Sequence, residues 1–260
     1  MTSRGRAAAI WPVVLWALVG VASYLIGVRL AIGQLAEDSV LDAAEFTYDP
    51  PPPLNLVSVP TVAVAVIAVG VIAYFANSLR RAIVVVVIPA LAILASQLLK
   101  QELLTRPQLF ELSQPNTFPS GHMTVFMSLV AALVWAVPSA VRSIVAAVGA
   151  AVLAAVSWQL LAYGWHRPSD VLGGLALGTL SFAIAALIHP LTMRERPALG
   201  RSVPTVLLIL GLIGVAVALG IAAVAAWLAN SSFMLIAGEV GVAAASVLAA
   251  RTVLILATPR

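Results

Sequence analysis

The stretch "VLAAVSWQLLAYGWHRPSDVLGGLALGTLSFAIAAL" runs from Val152 to Leu187 and joins two apolar segments through a short polar link. Each apolar segment belongs to a run of roughly 20 residues, which as a helix crosses a hydrocarbon core about 30 Å thick. The link places His166, Arg167 and Asp170 within five residues. A polar loop between two helices would have this composition, and so would half of an active site at a membrane surface.

The rest of the chain shares this apolar character. Its 260 residues are 62% hydrophobic and 9% charged, whereas soluble domains contain about 45–50% apolar and about 25% charged residues. The apolar runs are continuous and do not alternate with a period of two residues, which favours helices over a transmembrane barrel. We therefore predict an all-α integral membrane protein. The chain has no cysteine, which excludes disulfides and cysteine-bound haem or iron–sulfur groups.

Recurring apolar runs predict eight transmembrane spans. Their approximate bounds are 10–31, 57–77, 82–99, 121–137, 142–163, 169–188, 204–228 and 233–256. Ten of the fourteen Lys and Arg residues fall at span ends on one side, and the positive-inside rule makes that side cytoplasmic. Both termini are then cytoplasmic, and we expect a multi-pass protein of the plasma (inner) membrane. The ten residues are Arg4, Arg6, Arg80, Arg81, Arg142, Arg194, Arg196, Arg201, Arg251 and Arg260.

The first outer loop, about 32–56, is acidic and ends in four successive prolines, Pro50–Pro53. Because proline runs favour an extended conformation, we predict a surface flap or linker here and assign it no chemistry. In the sixth span, Gly174 and Gly178 have the spacing of small residues that lets two helices approach closely, which favours a packing role.

Three polar clusters remain on the outer side of this topology. They are "KQELLTRP" at 100–107, "FPSGH" at 118–122 and the polar link at 163–170. Singly, each can be structural, as solvated side chains at a helix end, a helix cap or a hydrogen bond within a loop. Together they hold two of the three histidines and the only lysine of the chain, which favours an active site. His189, the third histidine, is interpreted as structural.

The residue types of these clusters suit the binding of a phosphate. Lys100 and Arg106 supply positive charge and N–H donors, and an arginine can bind two oxygens at once. Ser120 precedes an apolar run, as a helix cap would. Free backbone amides at Gly121 and His122 would then point toward an anion at the helix start.

Two histidines beside a phosphate site suggest phosphoryl transfer, with one histidine as nucleophile and the other as proton donor. Asp170 follows His166 by four residues, and Pro168 between them suits the first turn of the sixth span. A carboxylate at this spacing can orient the imidazole and stabilise its positive charge.

The motifs resemble those of the type 2 phosphatidic acid phosphatase superfamily of membrane lipid phosphatases. That pattern has Lys, six residues, Arg-Pro; then Pro-Ser-Gly-His; then Ser-Arg, five residues, His, three residues, Asp. The chain has a complete Pro-Ser-Gly-His at 119–122 and the His-to-Asp spacing at 166–170, followed by "VLGG". The resemblance implies a six-helix phosphatase-like core over 1–203, with active-site loops at 100–122 and 163–170. The two spans within 204–260 are then an addition to this core.

The resemblance also implies a role for each matching residue. His166 would attack phosphorus, Asp170 would orient it, and His122 would protonate the leaving oxygen and then activate water. No metal and no cofactor are expected. The residues that would bind the phosphoryl oxygens are Lys100, Arg106, Ser120 and Gly121 through its amide.

Two features depart from the family pattern. Five residues separate Lys100 from Arg106, one fewer than in the pattern, which on a continuous helix rotates one by about 100° relative to the other. The Ser-Arg pair would fall at positions 159 and 160, which are Gln159 and Leu160. Loss of one preorganised donor to a developing oxyanion costs about 3 kcal/mol, or about a hundredfold or more in rate. Arg167, adjacent to the nucleophile, is the candidate substitute for phosphate binding.

We therefore expect a metal-independent extracytoplasmic phosphatase that hydrolyses a lipid phosphate or diphosphate through a phosphohistidine intermediate. A lipid phosphotransferase would use the same intermediate and pass the phosphoryl or headgroup unit to an alcohol. Leu160 keeps open a third interpretation, a degenerate member that binds phospholipid without catalysis. Lipid phosphate and membrane lipids are the expected partners, nucleic acid is not, and a homo-oligomer is left open.

Overall fold

The structure, a computed structural model, describes residues 3–109, 115–188 and 202–257, and of residues 3–8 the backbone alone. This part of the chain contains nine α-helices and no strand. The helices are α1 Ser3–Ser23, α2 Ala31–Asp42, α3 Val59–Ala76, α4 Leu79–Leu98, α5 Gly121–Ala136, α6 Ser139–Ala162, α7 Pro168–Ile188, α8 Ser202–Leu228 and α9 Ser231–Ala257. π-Helical turns extend α1 over Tyr24–Arg29 and α4 over Leu99–Leu103.

Seven of the helices are long and apolar enough to cross a membrane, and an eighth, α5, is apolar but has only 16 residues. The prediction of an all-α integral membrane protein with about eight transmembrane helices is therefore confirmed. Each predicted span coincides with one of these helices to within a few residues. The ninth helix, α2, lies between the first two spans and is not a candidate span.

The helix α2 contradicts our prediction for the first outer loop. Residues 31–42 are helical, and Glu37, on the face that packs inward, is buried. The four prolines do not form an extended segment either. A turn at Pro52 and Pro53 leads into a short 3-10 helix, Leu54–Leu56, before α3 begins.

The core of the bundle is built from α5, α6, α7 and α9, with α1 packed along α7. Close approach of α5 and α7 depends on glycine. A Cβ built on Gly174 would lie 2.7 Å from the carbonyl oxygen of Ser120, and one on Gly178 would lie 2.8 Å from Cγ of Met127. The predicted packing role of both glycines is thereby confirmed. The helix α8 contacts mainly α9 and is otherwise exposed along its length.

The division of the chain at residue 203 stays a prediction. The helix α9, from the second predicted part, contributes Val242, Ala249 and Val253 to the same hydrophobic core as α6 and α7. A phosphatase-like core formed by residues 1–203 would therefore pack directly against α9.

At the end of the bundle opposite the polar clusters, one arginine joins several helix ends. The guanidinium of Arg142, at the start of α6, donates hydrogen bonds to the carbonyl oxygens of Val134, Val137 and Ala257, each at 2.9 Å. Asn77, between α3 and α4, donates to the carbonyl of Ala136 at 2.6 Å. These bonds satisfy carbonyl groups that helix ends leave without intrahelical partners.

The orientation of the bundle across the membrane stays a prediction. Among the basic residues that carry it, Arg194, Arg196, Arg201 and Arg260 lie outside the described residues, as do the side chains of Arg4 and Arg6. His189, interpreted above as structural, also lies outside them.

Candidate active site

The structure brings the three polar clusters together at one end of the bundle, where α4 ends and α5 and α7 begin. The ring centroids of His122 and His166 are 6.1 Å apart. Arg106 Nη2 lies 3.6 Å from Oδ1 of Asp170. A Cβ built on Gly121 would lie 4.0 Å from Nζ of Lys100. Residues from each of the three clusters therefore contact residues of another.

The end of α6 presents His166 through a left-handed glycine. Gly164 has a φ of +66°, and its N–H donates to the carbonyl of Leu161, while the N–H of Trp165 donates to that of Leu160. These two bonds are those of a Schellman motif, which ends a helix at a residue in the left-handed region. The N–H of His166 also donates to the carbonyl of Leu160, at 3.0 Å. The backbone next to the candidate nucleophile is thus fixed to the last turn of α6.

Asp170 is fully buried and lies against His166. Its Oδ2 is 3.5 Å from Nδ1 of His166, a long separation for a hydrogen bond. The same oxygen accepts hydrogen bonds from the hydroxyl of Thr117 at 2.5 Å and from the N–H of Arg167 at 3.1 Å. Because these two donors fix the carboxylate, it can hold the Nδ1 side of the imidazole and leave Nε2 for chemistry.

The start of α5 has the cap that the sequence predicts. The Oγ of Ser120 accepts a hydrogen bond from the N–H of Met123 at 3.2 Å. The N–H of Ser120 donates to the carbonyl of Asp170 at 2.8 Å, which joins the starts of α5 and α7. The next two amides, of Gly121 and His122, are first-turn groups with no acceptor inside the helix. They lie at its positive end, where an anion is stabilised.

His122 stands beside the loop that carries the other histidine. Its ring is edge-on to that of Trp165, with centroids 5.5 Å apart. Trp165 is in turn fixed by a hydrogen bond of 2.7 Å from its Nε1 to the carbonyl of Thr47. Across the 6.1 Å between the two imidazole rings, a tetrahedral phosphate could meet His166 on one side and His122 on the other.

Lys100 lies in the π-helical turn that ends α4. The i to i+5 bonds of a π-turn change the direction of successive side chains, so the predicted rotation for a continuous α-helix does not apply to Lys100 and Arg106. The amide of Asn116 fixes the segment by donating to the carbonyls of Lys100 and Leu104, at 3.2 and 2.9 Å. Gln97, one turn earlier, has its Nε2 2.9 Å from a Cβ built on Gly121.

Arg106 is buried between two carboxylates. Its Nη1 and Nη2 are each 3.5 Å from Oε2 of Glu37, and Nη2 is 3.6 Å from Oδ1 of Asp170. Its Nε has no hydrogen-bond partner. The pKa of Glu37 is raised to about 7, first by burial and then by the nearby charge of Asp170.

Arg167 points into the same cluster and is only 3% exposed. Its Nη2 lies 3.9 Å from Oδ1 of Asp38, and its Nε has no hydrogen-bond partner. Burial and the nearby charge of Arg106 lower the pKa of Arg167. Two buried arginines thus belong to the group of charges around Asp170, and the Nε of each has no hydrogen-bond partner.

The two positions that depart from the family pattern have other roles in this structure. Leu160 is fully buried in the hydrophobic core, and its carbonyl accepts the loop amides described above. The Nε2 of Gln159 donates to the carbonyls of Pro51 and Pro52, at 3.4 and 3.1 Å. Neither side chain adds a positive charge to the cluster.

Sequence reasoning missed Glu37, Gln97, Asn116 and Thr117. The signal for Glu37 was present in the spacing of Gly33, Glu37 and Val40, which places them on one face of a helix. It was missed because the buried face includes the polar residues Gln34 and Glu37, while the apolar Ile32 is 74% exposed. A hydropathy pattern alone predicts an acidic loop for a helix whose polar residues are buried and whose apolar residues are exposed.

Comparison with known protein families gives a match over the part of the chain that carries the site. The model of the PAP2 superfamily matches residues 62–194, just over half of the chain. The chain belongs to the PAP2 superfamily. A search of curated proteins and a search of solved structures each gave no match. The matched residues of this PAP2 protein include every predicted catalytic and phosphate-binding residue, whereas α2, α8 and α9 lie outside them. Membership supports phosphatase-type chemistry on lipid phosphates.

Proposed function

We propose that this PAP2 protein hydrolyses a lipid phosphate or diphosphate at the extracytoplasmic face of the plasma membrane, through a phosphohistidine at His166. The observation that carries the proposal is the position of His166, with Asp170 on its Nδ1 side and His122 across a gap of 6.1 Å. Both histidines lie beside the helix start and the two buried arginines that suit a phosphate.

In the first step, Nε2 of His166 attacks phosphorus and the bond from phosphorus to the lipid or phosphate oxygen breaks. The departing oxygen takes a proton from His122, and Asp170 stabilises the positive imidazole ring. In the second step, His122 removes a proton from water, whose oxygen attacks phosphorus. The P–N bond breaks, His166 is restored and inorganic phosphate is released, from a lipid monoester or from the terminal phosphate of a lipid diphosphate.

The phosphoryl oxygens are held by groups at the edge of this gap. Lys100 and Arg106 contribute charge, and the amide of Gly121 contributes a donor at the start of α5. Ser120 contributes its hydroxyl next to that amide. The protein also supplies Arg167, whose burial in the charged cluster supports its use in place of the arginine that the family pattern has at position 160.

Metal independence is part of the proposal. Within the described ranges, no group of three His, Asp or Glu side chains is arranged to hold a metal ion. The charge that a metal would supply to the phosphoryl group is assigned here to Lys100, Arg106 and Arg167.

The test is release of inorganic phosphate by purified protein in the presence of a chelator. Phosphatidate, a prenyl diphosphate and phosphatidylglycerophosphate are assayed in parallel, and ³²P-labelled substrate is used to trap acid-labile label on the protein. We expect turnover on at least one substrate, no label in His166→Ala, and a loss of about 10²–10⁴-fold in His122→Ala. The matched control is His189→Ala, which is expected to retain activity.

Three results would contradict this proposal. Phosphate that moves only to an added alcohol would indicate a transferase. Binding of lipid phosphate without turnover of any substrate would indicate a degenerate member. Full activity of His166→Ala would exclude the proposed nucleophile.

A further inference from the structure

One carboxylate from outside the matched family segment contacts both halves of the candidate site. Glu37 lies on α2, and its side chain is only 7% exposed. Its Oε1 accepts a hydrogen bond from the N–H of Ser169 at 2.8 Å, and its Oε2 lies 3.5 Å from both terminal nitrogens of Arg106. No role in the mechanism above uses this residue.

The bond to Ser169 completes the cap of α7. That helix begins at Pro168, so the N–H of Ser169 is a first-turn group without an intrahelical acceptor. In an ordinary capping box, the residue before the helix supplies one acceptor and the third helical residue supplies the other. Here Asp170 accepts from the N–H of Arg167, but the arginine side chain has no acceptor to return. Glu37, from another helix, supplies an acceptor to the N–H of the second helical residue, Ser169, which a capping side chain can also bind.

The close packing around Glu37 depends on a glycine at the end of the first span. A Cβ built on Gly27 would lie 2.8 Å from Oε1 of Glu37 and 2.5 Å from Cβ of Ser169. Any larger residue at this position would separate the π-helical turn from α2 and α7. The contact between Glu37 and the start of α7 therefore requires the π-helical turn, α2 and α7 to pack closely, which the glycine at position 27 permits.

The helix α2 is held in place at both ends. Gln34 donates from its Nε2 to the carbonyls of Val28 and Pro107, at 2.7 and 2.9 Å. A Cβ built on Gly238 of α9 would lie 3.6 Å from a methyl group of Val40. Because α2 is fixed to the segment after Arg106 and to the last helix, Glu37 has a defined position.

We infer that Glu37 is a positioning residue, which holds the phosphate-binding Arg106 in register with the helix that carries Asp170 and follows His166. This inference rests on the proposed function for the roles of those residues. Arg106 and Ser169 are 63 residues apart in the chain, and the carboxylate of Glu37 contacts both. Loss of this bridge leaves every catalytic group present but less well aligned.

The kinetic test compares Glu37→Gln with Glu37→Ala. The amide of Gln can still accept from Ser169, but its NH₂ group is a donor and cannot hold Arg106. We expect Glu37→Gln to raise KM and lower kcat/KM by about 10- to 100-fold, as for a misplaced substrate-binding group. We expect Glu37→Ala, which loses both bonds, to lower kcat as well. The matched control is Asp42→Asn, which removes an exposed carboxylate from the same helix.

A second measurement does not depend on activity. Hydrogen exchange of the backbone amides at the start of α7 reports directly on its cap. We expect exchange of the amides of residues 169–172 to be about fivefold faster, or more, in Glu37→Ala than in the wild type. Exchange in Glu37→Gln and Asp42→Asn should match the wild type.

The two measurements separate the possible failures. If Glu37→Gln has the KM and kcat of Asp42→Asn, Glu37 does not position Arg106 and the inference is wrong. Unchanged exchange at the start of α7 in Glu37→Ala would also overturn it, whatever the activity. If the wild type turns over no lipid phosphate but the exchange changes as expected, the proposed function fails while the structural bridge stands. If Glu37→Ala does not fold, Glu37→Gln still decides the role of the charge.

Discussion

At the scale of single residues, the candidate site has an unusual balance of charge. The groups nearest Arg106 and Arg167 are carboxylates, two from α2 and one from α7. Each arginine still has a buried Nε without a partner. Because an unpaired buried donor is costly, both groups are suited to a ligand that brings acceptor oxygens, which is what a phosphoryl group offers.

The first prediction concerns Arg167 as substitute for the missing arginine of the family pattern. Arg167→Ala should lower kcat/KM by about a hundredfold, the effect of losing one donor to a developing oxyanion. Arg167→Lys should recover part of this loss, because lysine restores the positive charge but cannot donate two parallel hydrogen bonds as arginine does. Steady-state phosphate release measures both variants. The control is Arg80→Ala, an exposed residue at the opposite end of the bundle.

Equal activity of Arg167→Ala and Arg80→Ala would mean that Arg167 does not bind the phosphoryl group. In that case Leu160→Arg, which restores the arginine of the family pattern at position 160, is the variant to test next. Since Leu160 is fully buried in the apolar core, we expect this change to reduce thermal stability, because it buries a charge without a partner.

The second prediction is a pH dependence that belongs to Glu37. Its pKa of about 7, raised from an ordinary value near 4.5, means that Glu37 is mostly protonated at pH 6 and mostly charged at pH 8. The charged groups that act on it are Asp170, Arg106 and Arg167. As the pH rises through 7, the carboxylate gains its charge and holds Arg106, so the KM of the wild type should fall relative to that of Glu37→Gln.

The ratio of the two KM values, measured from pH 6 to pH 8, is the quantity to follow. Titration of the lipid phosphate affects both proteins and cancels in the ratio. A ratio that stays constant over this range would show that the charge of Glu37 does not affect substrate binding.

At the scale of helices, the site is a meeting of helix ends. The start of α5 offers free amides, the start of α7 carries Asp170, and the end of α6 turns through Gly164 to present His166. The distance between α5 and α7 therefore sets the distance between the two histidines. Glycines on α7 set that distance through their missing side chains.

The third prediction tests this spacing. In Gly174→Ala, the new Cβ would lie 2.7 Å from the carbonyl oxygen of Ser120, and since this is backbone, α5 must move away. We expect lower thermal stability and at least about a tenfold loss of activity, because His122 moves with α5. In the control Gly220→Ala, nothing lies within 4 Å of the new Cβ. A Gly174→Ala protein as stable and active as this control would contradict the role of the spacing.

The sequence predicts the helices better than it predicts their contacts. Long apolar runs define the spans, and local motifs define the cap at Ser120 and the pair His166 and Asp170, because these signals depend on neighbouring residues. The contacts of Glu37 could not be predicted in this way, since its partners follow it by 69 and 132 residues. Leu160 could be recognised as a departure from the family pattern, but its packing in the core depends on tertiary structure.

At the scale of the whole molecule, the three polar clusters of the candidate site lie at one end of the bundle. The orientation of the bundle across the membrane therefore decides which compartment supplies the water for hydrolysis. The positive-inside rule predicts that this end is extracytoplasmic. The absence of cysteine from the chain makes the prediction simple to test, because any single introduced cysteine can be labelled without background.

The fourth prediction concerns two such variants. Tyr48→Cys, at a fully exposed residue near the site, should react with a membrane-impermeant maleimide in intact cells. Arg80→Cys, at the opposite end, should react only after the membrane is permeabilised. Both should react in detergent, which is the control for accessibility. The reverse pattern would place the active site in the cytoplasm and contradict the proposed location.

The bonds of Arg142 have a mechanical consequence for such a molecule. They tie the ends of α5, α6 and α9 together at the end far from the site. No substrate competes for those bonds, so that end can serve as a fixed pivot. With that end fixed, any separation of α5, α6 and α9 is confined to the end that carries the site.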